Sequence, residues 1–266
     1  MDAVSVSGLR VTYRRAGSGD PLVLLHGGFG FDSRSWQPQF DGLNGEFEIV
    51  AWDAPGCGGS DDPPTSFRMA DYADCLAGFL NAVDIGRPHI VGISFGGALA
   101  LALYGRHPAV PRSLVLAGAY AGWAGSLPPD EVERRLGRIS EEITHAPSEW
   151  MPRYMTGMFS ESAPAELAEQ AFALASDIHP QASLTMLRAM AGADLRDVLP
   201  RIQVPTLVLH GDRDTRSPLS VGRDLHEQIP GSQLVVLPGV GHASNLEAAE
   251  AFNRAVRTFV ASIEQS

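Results

Sequence analysis

The chain has 266 residues, 44% of them hydrophobic and 19% charged, enough to bury a sizeable core without disulfide or metal staples. It carries 20 cationic residues, all arginine, against 31 acidic ones, for a net charge of −11. That balance argues against nucleic acid and anionic membrane as partners, because both call for a basic face.

The first third alternates short apolar runs with loops. "GLRVTYRRAG" reads as an early strand. "PLVLLHG", "FEIVAWD" and "PHIVGIS" are continuous apolar runs, as expected of strands buried on both faces. Between the last two, "FRMADYADCLAGFLNAV" places Met69, Tyr72, Ala73, Leu76, Phe79 and Leu80 at helical spacing. "SLVLAGA" (113–119), "VPTLVLHG" (204–211) and "SQLVVLPG" (232–239) are further strands. "NLEAAEAFNRAVRTFVASI" is a closing helix. Alternating strands and helices predict an α/β fold, a mainly parallel twisted sheet with helices on both faces.

The alternation stops between Ala121 and Asp197. There "PDEVERRLGRISEEI", "SEWMPRYMTGMF", "PAELAEQAFALAS" and "ASLTMLRAMAG" read as helices cut into short pieces by prolines. The expectation is an all-helical cap over 121–197, inserted into a core formed by 1–120 and 198–266.

Cys57 and Cys75 form neither a C-x-x-C pair nor a metal-ligand spacing, and read as small buried hydrophobes. The opening residues lack a secretory apolar stretch, and no apolar run approaches membrane-span length. The expectation is a soluble, cytoplasmic protein acting on a small molecule, with no cofactor, metal or membrane; oligomeric state is left open.

Within "HIVGISFGGALALAL" a strand gives way to a helix at Ser94, crowded by Gly92, Gly96 and Gly97. A sharp strand-to-helix turn strains its apex and brings backbones together, and small neighbours relieve the crowding. "G-I-S-F-G" is thus a candidate nucleophile elbow, and a plain packing turn is the alternative. A serine hydroxyl needs a base, and the base needs a carboxylate to hold its tautomer. His242 stands in "VLPGVGHASNLE" after the last strand; Asp212 and Asp214 stand in "LVLHGDRDTRSP" after the preceding one. In a parallel sheet both loops lie on the edge where Ser94 lies, and the order Ser94, Asp214, His242 is the one this arrangement requires.

On the elements "LHGGFG", "WDAPGCGGS", "GISFGG", "LHGDRD" and "GVGHASNLE" the chain resembles the α/β-hydrolase superfamily over nearly its whole length. The resemblance implies that Asp214, the last residue of "G-x-x-D", is the acid, and that Asp212 caps or pairs locally. It implies an oxyanion hole from the amides of Phe95 and Gly28, with Phe29 as the alternative to Gly28. His26 and Asp53 read as structural braces. A serine nucleophile implies acyl transfer, and a small apolar ester or lactone is the simplest substrate. Proline iminopeptidases and carbon–carbon bond hydrolases also resemble the chain. The former carry Pro at Phe29 and Trp at Phe95; the latter carry a Pro in the oxyanion loop and Trp at Ala243. Cofactor-free haloperoxidases share the triad, and a receptor or lyase on the same scaffold stays open. Phe29, Phe31, Trp123, Trp150, Tyr154 and Met158 are candidate pocket residues, with core packing as the other reading for each. Trp36 carries the same two readings; Arg153 in the cap reads as a solvated residue, with binding of a substrate carboxylate as the alternative.

Overall fold

A computed structural model describes residues 1–28, 30–175 and 178–264. Eight strands form one sheet: β1 (Asp2–Val6), β2 (Leu9–Ala16), β3 (Asp20–Leu25), β4 (Phe47–Trp52), β5 (His89–Ile93), β6 (Ser113–Ala117), β7 (Thr206–Gly211) and β8 (Gln233–Leu237). Their spatial order is β1-β2-β4-β3-β5-β6-β7-β8. From β4 onward all neighbours are parallel, and β1 and β2 form an antiparallel hairpin at one edge. "DAVSV" therefore supplies a strand that its short length and polar alternation hide in the sequence.

The alternation along β3 explains the two-sided core. Val23 and Leu25 join the apolar cluster under α2 (Met69–Ala82) and α3 (Phe95–Arg106). Leu22 and Leu24 join the opposite cluster, closed by α1 (Gln37–Leu43) and α11 (Ala249–Glu264). All four side chains are fully buried, each stabilising by about 1.5–3 kcal/mol. Trp36 packs here against Phe252, with ring centroids 5.9 Å apart, and is a core residue. The closing helix differs from expectation in one respect. It is broken at Ala248 (φ −129°, ψ 47°) into α10 (Ser244–Glu247) and α11.

Between β6 and β7 lie α4 (Trp123–Ser126), α5 (Pro129–Glu142), α6 (Pro147–Thr156), α7 (Ala165–Ala175) and α8 (Pro180–Ala191); α9 (Leu219–Gln228) joins β7 to β8. No strand occurs among the described residues of the β6–β7 segment. α6 and α7 join Phe31 and Ala243 in a smaller apolar cluster, in which Ile143, Trp150, Met151, Met155 and Ala171 are buried, while Trp123, Ile139 and Met186 belong to the cluster under α2 and α3. Among the described residues no helix is long and apolar enough to cross a membrane. Both cysteines are free and buried.

His89 opens β5 fully buried, its Nδ1 2.7 Å from Ser113 Oγ, its Nε2 without a partner among the described residues. Burial, reinforced by the nearby Arg112 charge, pushes its pKa down to about 4, although Asp20 pulls the other way. Between that value and the ordinary histidine range, the unfolded chain holds a proton that the folded chain lacks. Stability is therefore full above the ordinary range and falls as pH drops toward 4. Urea midpoints measured from pH 7 to 4.5 should fall, His89 contributing at most about 1.4 kcal/mol per pH unit. His89→Gln should flatten that slope.

Candidate active site

The carboxyl ends of β3, β5, β6, β7 and β8 lie along one edge of the sheet, where open α/β sheets bind ligands. Each strand delivers one element there. β5 delivers Ser94, whose φ of 55° and ψ of −114° are costly for a residue with a Cβ, on the order of 1–3 kcal/mol. The turn is pinned by Ser94 N–H to Ala117 C=O at 2.9 Å, and by the amides of Gly97 and Ala98 donating back to Ser94 C=O. A Cβ on Gly92 would collide with the Gly96 carbonyl, and one on Gly96 with the carbonyl of Leu25. Only glycine allows helix α3 to begin this close to two strands. Ser94 precedes α3 at its N-terminus, yet its hydroxyl makes no capping bond. The structural job usual for serine at that position is thus not what holds it here.

β3 delivers His26-Gly27-Gly28. His26 Nδ1–H donates to its neighbour's carbonyl, Gly27, at 2.6 Å, and its Nε2 accepts from Ala54 N–H at 3.0 Å. It braces the loop, and Asp53 does likewise, accepting from Ser33 N–H at 2.8 Å and from Thr12 Oγ1 at 2.5 Å. A Cβ built on Gly28 would stand 3.7 Å from Phe95 Cβ, so the two loops meet beside Ser94. Among the described residues neither the Gly28 nor the Phe95 amide has a backbone acceptor. Phe29, the alternative donor and a pocket candidate, lies outside the described residues.

β7 and β8 deliver a hydrogen-bonded histidine–carboxylate pair. His242 Nδ1 lies 2.7 Å from Asp214 Oδ2, both side chains buried. The carboxylate fixes the proton on Nδ1 and leaves Nε2 as the basic nitrogen. Asp214 Oδ1 accepts the amides of Arg216 and Ser217, each at 2.8 Å. Burial pushes the Asp214 carboxyl up, but the facing His242 and the Ser217 amide outweigh it and hold its pKa below the ordinary carboxylate value. His210 lies 3.7 Å from the same carboxylate. Burial keeps its imidazole below the usual range, and its Nε2–H is spent on the Ser217 carbonyl at 2.6 Å. It positions the loop and leaves the Asp214 charge to His242. Asp212 points elsewhere, accepting from Gly239 N–H at 2.7 Å.

Ser94, Phe95, Gly28 and His242 line one cavity of about 60 Å³. That is room for a few water-sized groups, and so for a compact ligand. Of the pocket candidates, Phe31, Trp123, Tyr154 and Met158 line it. Trp150 does not; it is buried in the smaller cluster with Phe31 and Ala243, edge-on to Tyr154 with ring centroids 5.9 Å apart. Its large apolar surface is used for packing. Tyr120, Met186, Leu187 and Met190 line the cavity without having been singled out in the sequence. Gly118 was also missed: a Cβ there would stand 3.1 Å from His242 Nδ1 and 3.2 Å from Asp214 Oδ2. Its place just after a buried strand, on the edge shared with Ser94, is the signal that could have flagged it. Among the described residues no cluster of three or more His, Cys, Asp or Glu side chains could hold a metal ion.

A family model described as alpha/beta hydrolase fold matches residues 20–249. The chain belongs to the α/β-hydrolase family. Relatives of this hydrolase include the protein called "Putative carbamate hydrolase RutD" in Pantoea ananatis, 31% identical over 236 residues, covering 87% of this chain and 85% of the relative. The solved structure of a thermophilic esterase from Thermogutta terrifontis superposes with a TM-score of 0.90 at 27% identity, over 99% of both chains. An esterase from Exiguobacterium antarcticum does so with a TM-score of 0.88 at 25% identity, over 97% of this chain and 98% of that one.

A methyl on the elbow of this hydrolase has nowhere to go. Gly96→Ala should destabilise it by about 2–3 kcal/mol in urea unfolding. Gly137→Ala, at an open site inside α5, should instead raise the midpoint slightly, by up to about 1 kcal/mol.

Proposed function

We propose that the protein is a serine hydrolase that cleaves a small carboxylic ester or lactone through an acyl-enzyme on Ser94. The observation that carries this reading is the buried His242–Asp214 pair at 2.7 Å, on the wall of the cavity that Ser94 also lines. His242 Nε2 removes the Ser94 proton as Oγ attacks the carbonyl carbon. The negative oxygen that forms is met by the amides of Phe95 and Gly28. The imidazolium then protonates the departing alkoxide, and the alcohol leaves. Water, deprotonated by His242, attacks the acyl carbon; the proton returns to Ser94 Oγ as the acid is released.

The apolar wall built by Phe31, Ile93, Met158, Met186 and Leu246 suits a hydrocarbon acyl group. Residues 121–197 serve as a cap on the core formed by 1–120 and 198–266. Trp123, Arg135, Tyr154 and Met186 reach the cavity from that segment. The name of the Pantoea relative adds carbamates to the acyl compounds worth assaying; their carbonyl is open to the same attack.

Ser94→Ala should lower kcat/KM for short p-nitrophenyl esters by at least roughly 10³-fold and remove labelling by an organophosphonate, read by intact mass. Wild-type turnover in that variant would exclude the reading. Asp214→Asn should cost roughly 10³–10⁴-fold, by freeing the imidazole to take the wrong tautomer.

The pH profile follows from the Asp214 shift. Its carboxyl stays charged below the ordinary carboxylate range, so Asp214 adds no proton uptake of its own to the acid limb above that range. The logarithm of kcat/KM should fall with unit slope down to about pH 4.5, with no second break. A slope of two above that pH would mean that Asp214 titrates with the base.

A further inference from the structure

An outer recess of about 360 Å³ adjoins the catalytic cavity, and Trp123, Arg135, Tyr154 and Arg216 line both. Its chemistry is different. Arg134, Arg135, Arg138, Arg153 and Arg216 surround it, and Glu131 is the one carboxylate among its described lining residues. In a chain of net charge −11, that is a local inversion of charge. Glu131 is shared between Arg134 and Arg135. The nearest carboxylate to Arg153 is that of Glu142, at 3.9 Å. Among the described residues, no carboxylate pairs with Arg138 or with Arg216.

Two of these guanidiniums are fixed in place by the protein. Arg135 Nε donates to Glu131 at 2.5 Å, and its Nη1 donates to Tyr120 Oη and to the Arg216 carbonyl, both at 3.1 Å. Arg216 donates from Nε to the Gly157 carbonyl at 3.2 Å and from Nη2 to the Tyr154 carbonyl. Its guanidinium stacks 3.8 Å from the centre of the Tyr154 ring. Among the described residues Arg135 Nη2 and Arg216 Nη1 have no acceptor. Arg138 lies one turn beyond Arg135 on the same face of α5. Held guanidiniums with spare N–H groups match a planar anion that accepts in two directions, which is a carboxylate.

We propose that this recess is an anionic subsite, and that the substrate is an ester or lactone carrying a free carboxylate. The inference rests on the acyl-enzyme reading given above. The reacting carbonyl sits at Ser94, the hydrocarbon passes Trp123 and Tyr154, and the carboxylate meets Arg135, Arg138 and Arg216.

The test compares the monoethyl esters of succinate, glutarate and adipate with their neutral primary-amide counterparts, by ethanol release. At least one half-ester should exceed its amide partner roughly tenfold in kcat/KM, and that ratio should shrink with added salt. In Arg138→Gln, an exposed position on α5, the ratio should drop toward one. Binding is read separately in Ser94→Ala. The favoured half-ester should raise the thermal midpoint more than its amide partner does, and adding Arg138→Gln should erase the difference. These thermal shifts decide the matter if ethyl esters turn over too slowly to compare. Ratios at or below one for all three pairs, or equal thermal shifts where no turnover is seen, overturn the subsite. Ester turnover surviving Ser94→Ala overturns the acyl-enzyme reading instead, and the wild-type ratios still judge the subsite.

Discussion

Helix α3 begins in contact with the carbonyls at the end of β3, and glycine at position 96 is what permits it. The rest of the edge follows from that approach. It forces Ser94 into a left-handed conformation and brings Phe95 up against the Gly28 loop. It also leaves the serine hydroxyl out of helix capping. The hydrophobic burial of β3 and β5 on both faces offsets the strain of a single residue many times over.

The His242–Asp214 pair is organised by a different principle. Asp214 is buried, which by itself favours a neutral carboxyl. Two backbone amides and one imidazole proton reverse that preference. The carboxylate is thus charged because of its hydrogen bonds, and those bonds also fix its orientation. His210, though close, is held neutral and turned toward Ser217. Of two nearby imidazoles, His242 is thereby the one at hydrogen-bond distance from the carboxylate.

The sequence made the parallel core legible because strands buried on both faces are uninterrupted apolar runs. The seam at Ser94 was legible because close backbone contact leaves a trace of glycines. The edge hairpin was not: "DAVSV" is too short and too exposed for its pattern to stand out. The break at Ala248 has no proline or glycine to announce it. Pocket residues were only partly legible, for a physical reason. Trp150 and Tyr154 lie on one helical stripe, yet only Tyr154 reaches the cavity. Met186, Leu187 and Met190 look like any apolar helix face, and whether such a face meets protein or empty space depends on tertiary packing. The arginine recess was legible only at Arg153, because its other members come from α5 and the loop after Asp214.

The loop that carries His242 is stitched directly to the turn that follows α6. Ala243 N–H donates to the Met158 carbonyl at 2.8 Å, and Glu247 accepts from the amides of both Ser160 and Gly241. A hinge at this point would therefore drag the imidazole along with the β6–β7 segment. Any gate for incoming molecules has to swing elsewhere in the β6–β7 segment, with the Met158 corner as its fixed post. Shortening the chain around Met158 would do more than uncover the cavity: it would cut the mooring of the histidine.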